Sequence, residues 1–236
     1  IVLPMTASAE TTPIFGGDTV EQEWKFDFGA SGTNAEDGYT LVTPDTNYVT
    51  NKEYGFLGID VDSYKLGNRL DGFGNQKGQA IKLKAGGGTG LNDAIGSVGE
   101  DSFGNAGDVY YPTRFALKAD DEAYYRVRAT VTTLDTTKDA EISLYTERKH
   151  PIFTDTKVEA GQTKTVEFSV RPTPIYYEKS EPKGTIADGM VNVCVAGENS
   201  AIASIEIQKV QEYPVFWVLG DSTVTDGNCS LPFFRL

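Results

Sequence analysis

The chain has 236 residues, 39% hydrophobic and 23% charged, which is enough for one large or two small folded domains and excludes a disordered chain. Asp and Glu number 34 against 21 Lys and Arg, and the net charge of −13 argues against nucleic acid or an anionic membrane as a partner. No stretch approaches the roughly 20 apolar residues that span a bilayer. We therefore expect an acidic, secreted monomer that does not insert into membranes.

The N-terminal residues indicate export. The segment Ile1-Val-Leu-Pro-Met-Thr-Ala7-Ser8-Ala9 is typical of the end of a signal peptide, an apolar stretch that closes on an Ala-x-Ala cleavage site. We assign residues 1–20 to a signal-peptide remnant and leader. An accidental apolar leader is the alternative.

Residues 21–211 have the pattern of a β-sandwich module. Short runs with period two or β-rich composition alternate with turns rich in Gly, Asn, Asp and Pro. The predicted strands are residues 23–28, 39–42, 54–57, 109–117, 123–133, 140–147, 163–170, 190–195 and 202–210. Because no convincing amphipathic helix accompanies them, the fold class is all-β, a sandwich or jelly roll.

The region 67–107 interrupts this pattern. Twelve of the 25 glycines fall there, which predicts a long functional or mobile loop, with residues 79–84 as a candidate short strand. The segment Gly86-Gly-Gly-Thr-Gly90 lacks the Gly-Lys-Ser/Thr ending of a phosphate-binding loop, so we reject that interpretation.

After residue 211 the pattern changes. The apolar run Pro214-Val-Phe-Trp-Val-Leu219 predicts a buried strand, and it ends at Gly220-Asp221-Ser222, where an open α/β sheet presents its reactive groups. A nucleophilic serine needs a base, a group that orients the base, and oxyanion donors. A turn or a helix N-cap is an equal alternative for this tripeptide taken alone.

The wider block Val218-Leu-Gly-Asp-Ser-Thr-Val-Thr-Asp226 resembles the first block of the SGNH (GDSL) hydrolases, in the branch of rhamnogalacturonan acetylesterases. The resemblance implies that residues 212–236 are the truncated first strand of a flavodoxin-like α/β hydrolase domain. It also implies that Ser222 is the nucleophile and an oxyanion donor, in a turn shaped by Gly220 and Asp221. The family's Asp-x-x-His block does not follow, and His150 lacks the aspartate. We therefore expect the 236-residue chain to be inactive.

The segments Trp24-Lys-Phe-Asp-Phe-Gly29, Gly38-Tyr-Thr40 and Glu53-Tyr-Gly-Phe56 resemble galactose-binding-like β-sandwich modules of secreted bacterial pectin-acting enzymes. Sugar sites combine an aromatic platform with a few polar groups. The candidates that border the long loop are Tyr54, Tyr110 and Tyr111, with Arg148 as a polar partner. We assign Trp24, Phe26, Phe28, Tyr125 and Phe168 to the core.

A structural calcium ion is the one cofactor that this second resemblance suggests. Asp60, Asp62 and Asp71 could offer oxygen ligands, but without the spacing of an EF-hand loop, so solvated loop carboxylates are favoured. Cys194 and Cys229 could pair, although a buried free cysteine is the favoured interpretation.

These observations predict the N-terminal part of a secreted carbohydrate esterase that deacetylates pectin-like polysaccharide. Its partner would be an acetylated plant-type polysaccharide, and the sandwich would bind that polymer or support the enzyme. The alternatives are a non-enzymatic carbohydrate-binding or cell-surface module, and a rigid spacer that binds nothing.

Overall fold

The structure is a computed structural model. It describes residues 19–51, 53–57, 83–97, 112–147, 150–172, 175–177, 184–186 and 189–211. The strands are β1 (Val20–Phe28), β2 (Thr40–Val42), β3 (Tyr54–Phe56), β4 (Leu83–Gly87), β5 (Asp93–Ser97), β6 (Thr113–Lys118), β7 (Tyr124–Thr133), β8 (Ala140–Thr146), β9 (His150–Val158), β10 (Thr163–Val170), β11 (Ile175–Tyr177), β12 (Gly184–Ile186), β13 (Met190–Ala196) and β14 (Ser200–Val210). A four-residue helix, α1 (Tyr48–Asn51), precedes β3, and a 3-10 turn (Gly90–Asn92) joins β4 to β5.

Two sheets face each other. The seven-stranded sheet has the order β10-β7-β14-β1-β2, and the hairpin of β4 and β5 joins it through β14. The five-stranded sheet has the order β3-β6-β13-β8-β9, while β11 and β12 form a separate pair. Apart from the parallel neighbours β1 and β2, the named strands pair antiparallel. The all-β class and the β-sandwich architecture are therefore confirmed.

The core lies between the sheets. Phe26 and Phe28 of β1 contact Phe115 of β6, with ring centroids 4.9 and 5.0 Å apart in edge arrangements. Such edge-to-face packing suits the quadrupoles of aromatic rings. The predicted core aromatics are confirmed: Phe26, Phe28 and Tyr125 are buried, and Trp24 and Phe168 pack against them partly buried.

Strand β7 alternates between buried and partly exposed residues over most of its length. Its odd-numbered residues from Tyr125 to Val131 are buried, and the even-numbered residues from Arg126 to Thr130 are partly exposed. Thr132 departs from the pattern, because its hydroxyl donates to the carbonyl of Gln162 at 2.7 Å and is covered. One face of the strand therefore contributes to the core and the other to the outer surface.

The prediction of a loop over residues 67–107 is wrong for residues 83–97, which form the hairpin of β4 and β5. The candidate strand at 79–84 overlaps β4, which begins at Leu83. Glycine serves close packing there, since a Cβ on Gly86 would lie 2.4 Å from the carbonyl oxygen of Leu134. Glycine content alone was therefore a poor guide to loop structure.

Cys194 of β13 is buried, with 5% of its surface exposed, and burial raises the pKa of its thiol despite the nearby Arg114. Cys229, the leader up to residue 18 and the proposed hydrolase segment 212–236 lie outside the described residues. In the part of the chain that is described, no helix is long and apolar enough to cross a membrane.

Candidate functional site

Among the residues predicted as sites, Tyr54 belongs to the described part of the chain. It opens β3 opposite Leu117, and its ring lies 4.9 Å from that of Phe26 and 6.5 Å from that of Phe115. Tyr54 is thus partly buried at the edge of the core. Its role as a sugar contact stays a prediction. The other predicted site residues lie outside the described residues: Asp60, Asp62, Asp71, Tyr110, Tyr111, Arg148, Gly220, Asp221 and Ser222.

The outer surface of the seven-stranded sheet carries an ordered array of polar side chains, which we call the polar face. Strands β10, β7, β14 and β1 lie side by side, and their register places polar residues in three rows of four. The rows are Ser169, Arg126, Gln208 and Glu23; Glu167, Arg128, Glu206 and Lys25; and Thr165, Thr130, Ser204 and Asp27, of which Ser204 and Asp27 are buried. Alternation on each strand produces this surface, because every second side chain points away from the core.

Arg128 lies at the centre of the polar face. Its guanidinium contacts Glu167 at 2.7 Å and Glu206 at 3.3 Å. Burial opposes its charge, but the hydrogen bond to Glu167 and the charges of both carboxylates raise the pKa of Arg128. The hydroxyl of Tyr39 donates to Glu206 at 2.8 Å, and burial together with this carboxylate raises the pKa of Tyr39.

Hydrogen bonds also fix the rows on either side of Arg128. The amide of Gln208 donates to Glu23 at 2.6 Å, and the hydroxyls of Thr130 and Thr165 lie 2.9 Å apart. Side chains held in this way lose little freedom when a ligand binds. The polar face therefore offers preformed donors and acceptors on one side of the sheet, with Tyr39 hydrogen-bonded to one of them.

A second arrangement, the acid cluster, consists of Asp27, Glu36 and Asp93. Asp27 is 2% exposed, and its Oδ2 accepts the backbone N–H of Glu36 at 3.0 Å. Oδ1 of Asp27 and Oδ1 of Asp93 are both buried and meet no donor from another group in the described chain. The two carboxyl groups lie within hydrogen-bonding reach of each other. A proton on Asp93 would bridge them.

Burial, followed by the charge of Asp27, raises the pKa of Asp93 to about 6, and Glu36 adds to the repulsion. Two glycines make room for these acids. A Cβ on Gly29 would stand 2.3 Å from Oδ2 of Asp93, and one on Gly90 would stand 2.8 Å from Oε1 of Glu36. The acid cluster thus brings three acidic side chains close together and raises the pKa of one of them. Carboxyl groups with shifted pKa values are frequent at functional sites.

The acid cluster is not evident in the amino-acid sequence. Asp27 lies between two core phenylalanines, and Asp93 follows the turn of Gly90-Leu-Asn92 in a glycine-rich region that predicts a loop. Strand β14 brings them together, because it pairs with β1 on one part of its length and with β5 on another. Nothing in the spacing of the two aspartates along the chain signals this neighbourhood.

Two other observations on the described residues concern metal binding and the single histidine. No group of three or more His, Cys, Asp or Glu side chains there is arranged to hold a metal ion. His150 is the first residue of β9 and lies opposite Thr146. It is partly buried, and burial lowers its pKa.

No family model and no curated protein matches the chain. Among solved structures, protein YXIM of Bacillus subtilis is 18% identical, with a TM-score of 0.42 over 83% of this chain and 42% of that one. The CBM22-1 xylan-binding domain of Paenibacillus barcinonensis Xyn10C is 9% identical, with a TM-score of 0.35 over 56% of this chain and 83% of that one. An exo-β-1,3-galactanase of Phanerochaete chrysosporium is 8% identical, with a TM-score of 0.31 over 54% and 26%. The chain spans less than half the length of the Bacillus protein.

Proposed function

We propose that the chain is the N-terminal part of a secreted carbohydrate esterase that removes acetyl groups from pectin-like polysaccharide. The proposal is carried by the block around Gly220-Asp221-Ser222, which follows a short apolar run and resembles the first block of the SGNH hydrolases. Strand β14 ends at Val210, four residues before Pro214 opens the apolar run, and this spacing supports a boundary between the two segments. We therefore treat residues 21–211 as the accessory module and residues 212–236 as the start of the catalytic domain.

In the proposed reaction, Oγ of Ser222 attacks the acetyl carbonyl. The sugar alcohol leaves with a proton, and water then hydrolyses the acetyl-serine to acetate and free serine. A base must take the serine proton. The chain's single histidine, His150, is paired in β9 and preceded three residues earlier by Glu147 rather than aspartate. The proposal therefore requires a base encoded beyond Leu236.

The serine assignment makes a simple prediction for the 236-residue chain. Because it lacks an Asp-x-x-His base, we expect no hydrolysis of p-nitrophenyl acetate above that of a Ser222→Ala control. Serine-dependent turnover by this chain would contradict the requirement for a later base.

For the sandwich we propose that the polar face contacts the polysaccharide. Sugar hydroxyls need donors and acceptors at fixed positions, and Arg128, Glu206 and Gln208 present such groups on adjacent strands. The ring of Tyr39, held through its hydroxyl by Glu206, could pack against the C–H face of a sugar. Polysaccharide binding by the polar face does not require residues 212–236, because the residues of that face belong to β1, β7, β10 and β14.

Affinity electrophoresis in gels that contain acetylated pectin tests the binding role. We expect the protein to be retarded and an Arg128→Gln variant to lose most of the retardation. Arg171→Gln is the matched control, because Arg171 pairs with Glu122 outside the polar face. If neither acidic nor galactose-containing glycans retard the wild-type protein, the sandwich is a spacer and the binding role is wrong.

A non-enzymatic carbohydrate-binding module is the second candidate, and the polar face favours it because that surface is complete within the sandwich. The coding sequence beyond Leu236 separates the two candidates. A later Asp-x-x-His block supports the esterase, whereas a stop codon or a domain without that block supports the binding module.

A further inference from the structure

We propose that Asp27 and Asp93 form a proton-dependent latch that fastens the loop of residues 29–39 to the end of the seven-stranded sheet. This inference concerns the acid cluster and does not depend on the esterase assignment.

The N–H of Gly29 ties the start of the loop to Val42 of β2, and two further hydrogen bonds attach its end to the sheet. The backbone N–H of Glu36 donates to Oδ2 of Asp27, and the hydroxyl of Tyr39 donates to Glu206 on β14. The carbonyl of Glu36 accepts the N–H of Tyr39 at 2.9 Å, so the two attachments are joined through one turn of backbone. A displacement of Asp27 would therefore loosen the loop near Tyr39 as well.

Two nearby carboxylates act on Asp93, and both are negatively charged. Asp27 approaches from β1 and Glu36 from the loop, and both raise the pKa of Asp93. On β4 the residue opposite Asp93 is Gly87, and Lys84 lies opposite Gly96. On β14, Glu206 accepts a hydrogen bond from Tyr39 and forms an ion pair with Arg128 of β7.

With Asp93 protonated, its carboxyl O–H can donate to the Asp27 carboxylate, which satisfies buried oxygens that have no other donor. Once the proton leaves to solvent, two carboxylates face each other in a poorly solvated space. Gly29 packs against Asp93 on one side, so Asp93 cannot simply withdraw in that direction. Relief of the repulsion then moves Asp27 or the loop that Asp27 holds.

The direction of the pH effect follows from the raised pKa. Asp93 binds its proton more tightly in the folded protein, with a pKa of about 6, than at the ordinary value of 3.8. The stability that this proton adds is complete below pH 3.8 and is lost as the pH rises through about 6. The latch is therefore closed in acid and open at neutral and alkaline pH.

The test compares the wild-type chain with Asp93→Asn and Asp37→Asn between pH 4.5 and 8, in buffer with EDTA. The amide introduced by Asp93→Asn cannot ionise, so we expect the Tm of the wild type to fall a few degrees below that of this variant as the pH passes 6. Asp37 is exposed in the same loop and serves as the charge-matched control. The curve of Asp37→Asn should run parallel to that of the wild type.

Two further readouts address the latch itself. Hydrogen exchange of the Glu36 amide, corrected for intrinsic pH dependence, should lose protection above pH 6 in the wild type and keep it in Asp93→Asn. NMR titration of the Asp93 carboxyl carbon in the wild type should give a midpoint near 6, whether or not the variant folds.

Three results would overturn the latch. The first is a titration midpoint near 4, and the second is protection of the Glu36 amide that does not change with pH. The third is a rise in Tm of the wild type at pH 8 on addition of millimolar Ca²⁺, absent in Asp93→Asn, which would make the pair a cation site.

Discussion

Gly29 lies directly against Asp93: a Cβ on this glycine would stand 2.3 Å from Oδ2 of the carboxylate and 3.1 Å from the hydroxyl oxygen of Thr33. The contact joins the residue after β1 to the first residue of β5, so the course of the loop after β1 depends on a glycine at this position. A side chain at position 29 would therefore displace either the carboxylate or the strand end.

The first prediction tests this packing. Gly29→Ala should lower the free energy of unfolding by about 1–3 kcal/mol, the usual cost of an added methyl group in a filled space. Urea denaturation of the variant and the wild type measures it.

The Asp93→Ala background is the control for that measurement, because it removes the oxygen that the methyl group meets. Gly29→Ala should cost clearly less there. Equal costs in both backgrounds would show that backbone conformation, and not the contact with Asp93, explains the glycine.

The second prediction concerns the polar face. Arg128→Gln should destabilise the protein by about 1–2 kcal/mol, because it leaves Glu206, whose side chain is 19% exposed, without its cation. The more exposed pair of Arg171 and Glu122 provides the comparison, and Arg171→Gln should cost less than about 0.5 kcal/mol. Urea denaturation of both variants and the wild type measures the two losses in free energy of unfolding. Equal losses would mean that the pairs of the polar face are ordinary surface ion pairs.

The third prediction concerns the turn between β13 and β14. Asn199 has a φ of 59°, its side-chain oxygen accepts the N–H of Asp135 at 2.7 Å, and its amide donates to the carbonyl of Lys138 at 3.0 Å. Asn199→Ala should cost about 2–3 kcal/mol, because it loses these bonds and places alanine in a left-handed conformation.

Asn199→Gly is the matched variant, since glycine adopts that conformation freely but makes no side-chain bonds. It should be more stable than Asn199→Ala by about 1 kcal/mol in thermal or urea unfolding. If the alanine variant is as stable as the glycine variant, the turn carries no conformational strain.

The sandwich could be predicted from the sequence wherever a strand has one buried and one exposed face. Strand β10 has the predicted limits, and β7 differs by one residue. Strand β9 was missed. Its second residue is Pro151, and its pairing with β8 is irregular around Asp155, whose φ of 46° interrupts the period of two. The hydrophobic pattern of the segment alone does not predict β9, because its pairing with β8 holds the strand together despite these interruptions.

The candidate surfaces were harder to predict than the strands. Arg128 lies on the partly exposed face of β7, but its carboxylate partners Glu167 and Glu206 come from two other strands and depend on register. The acid cluster depends on β14 pairing with both β1 and β5, which no feature of either segment encodes locally. Ser222 stands apart, because its assignment uses the sequence block alone.

The proposed function depends most on Ser222. The decisive measurement is acetate release from acetylated pectin by the chain extended through the coding sequence that follows Leu236, compared with the same protein carrying Ser222→Ala. We predict that the substitution lowers the rate by at least about a thousandfold while the unfolding transition is unchanged, as expected for loss of a catalytic nucleophile. Equal acetate release by the two proteins, or none by either, would contradict the assignment.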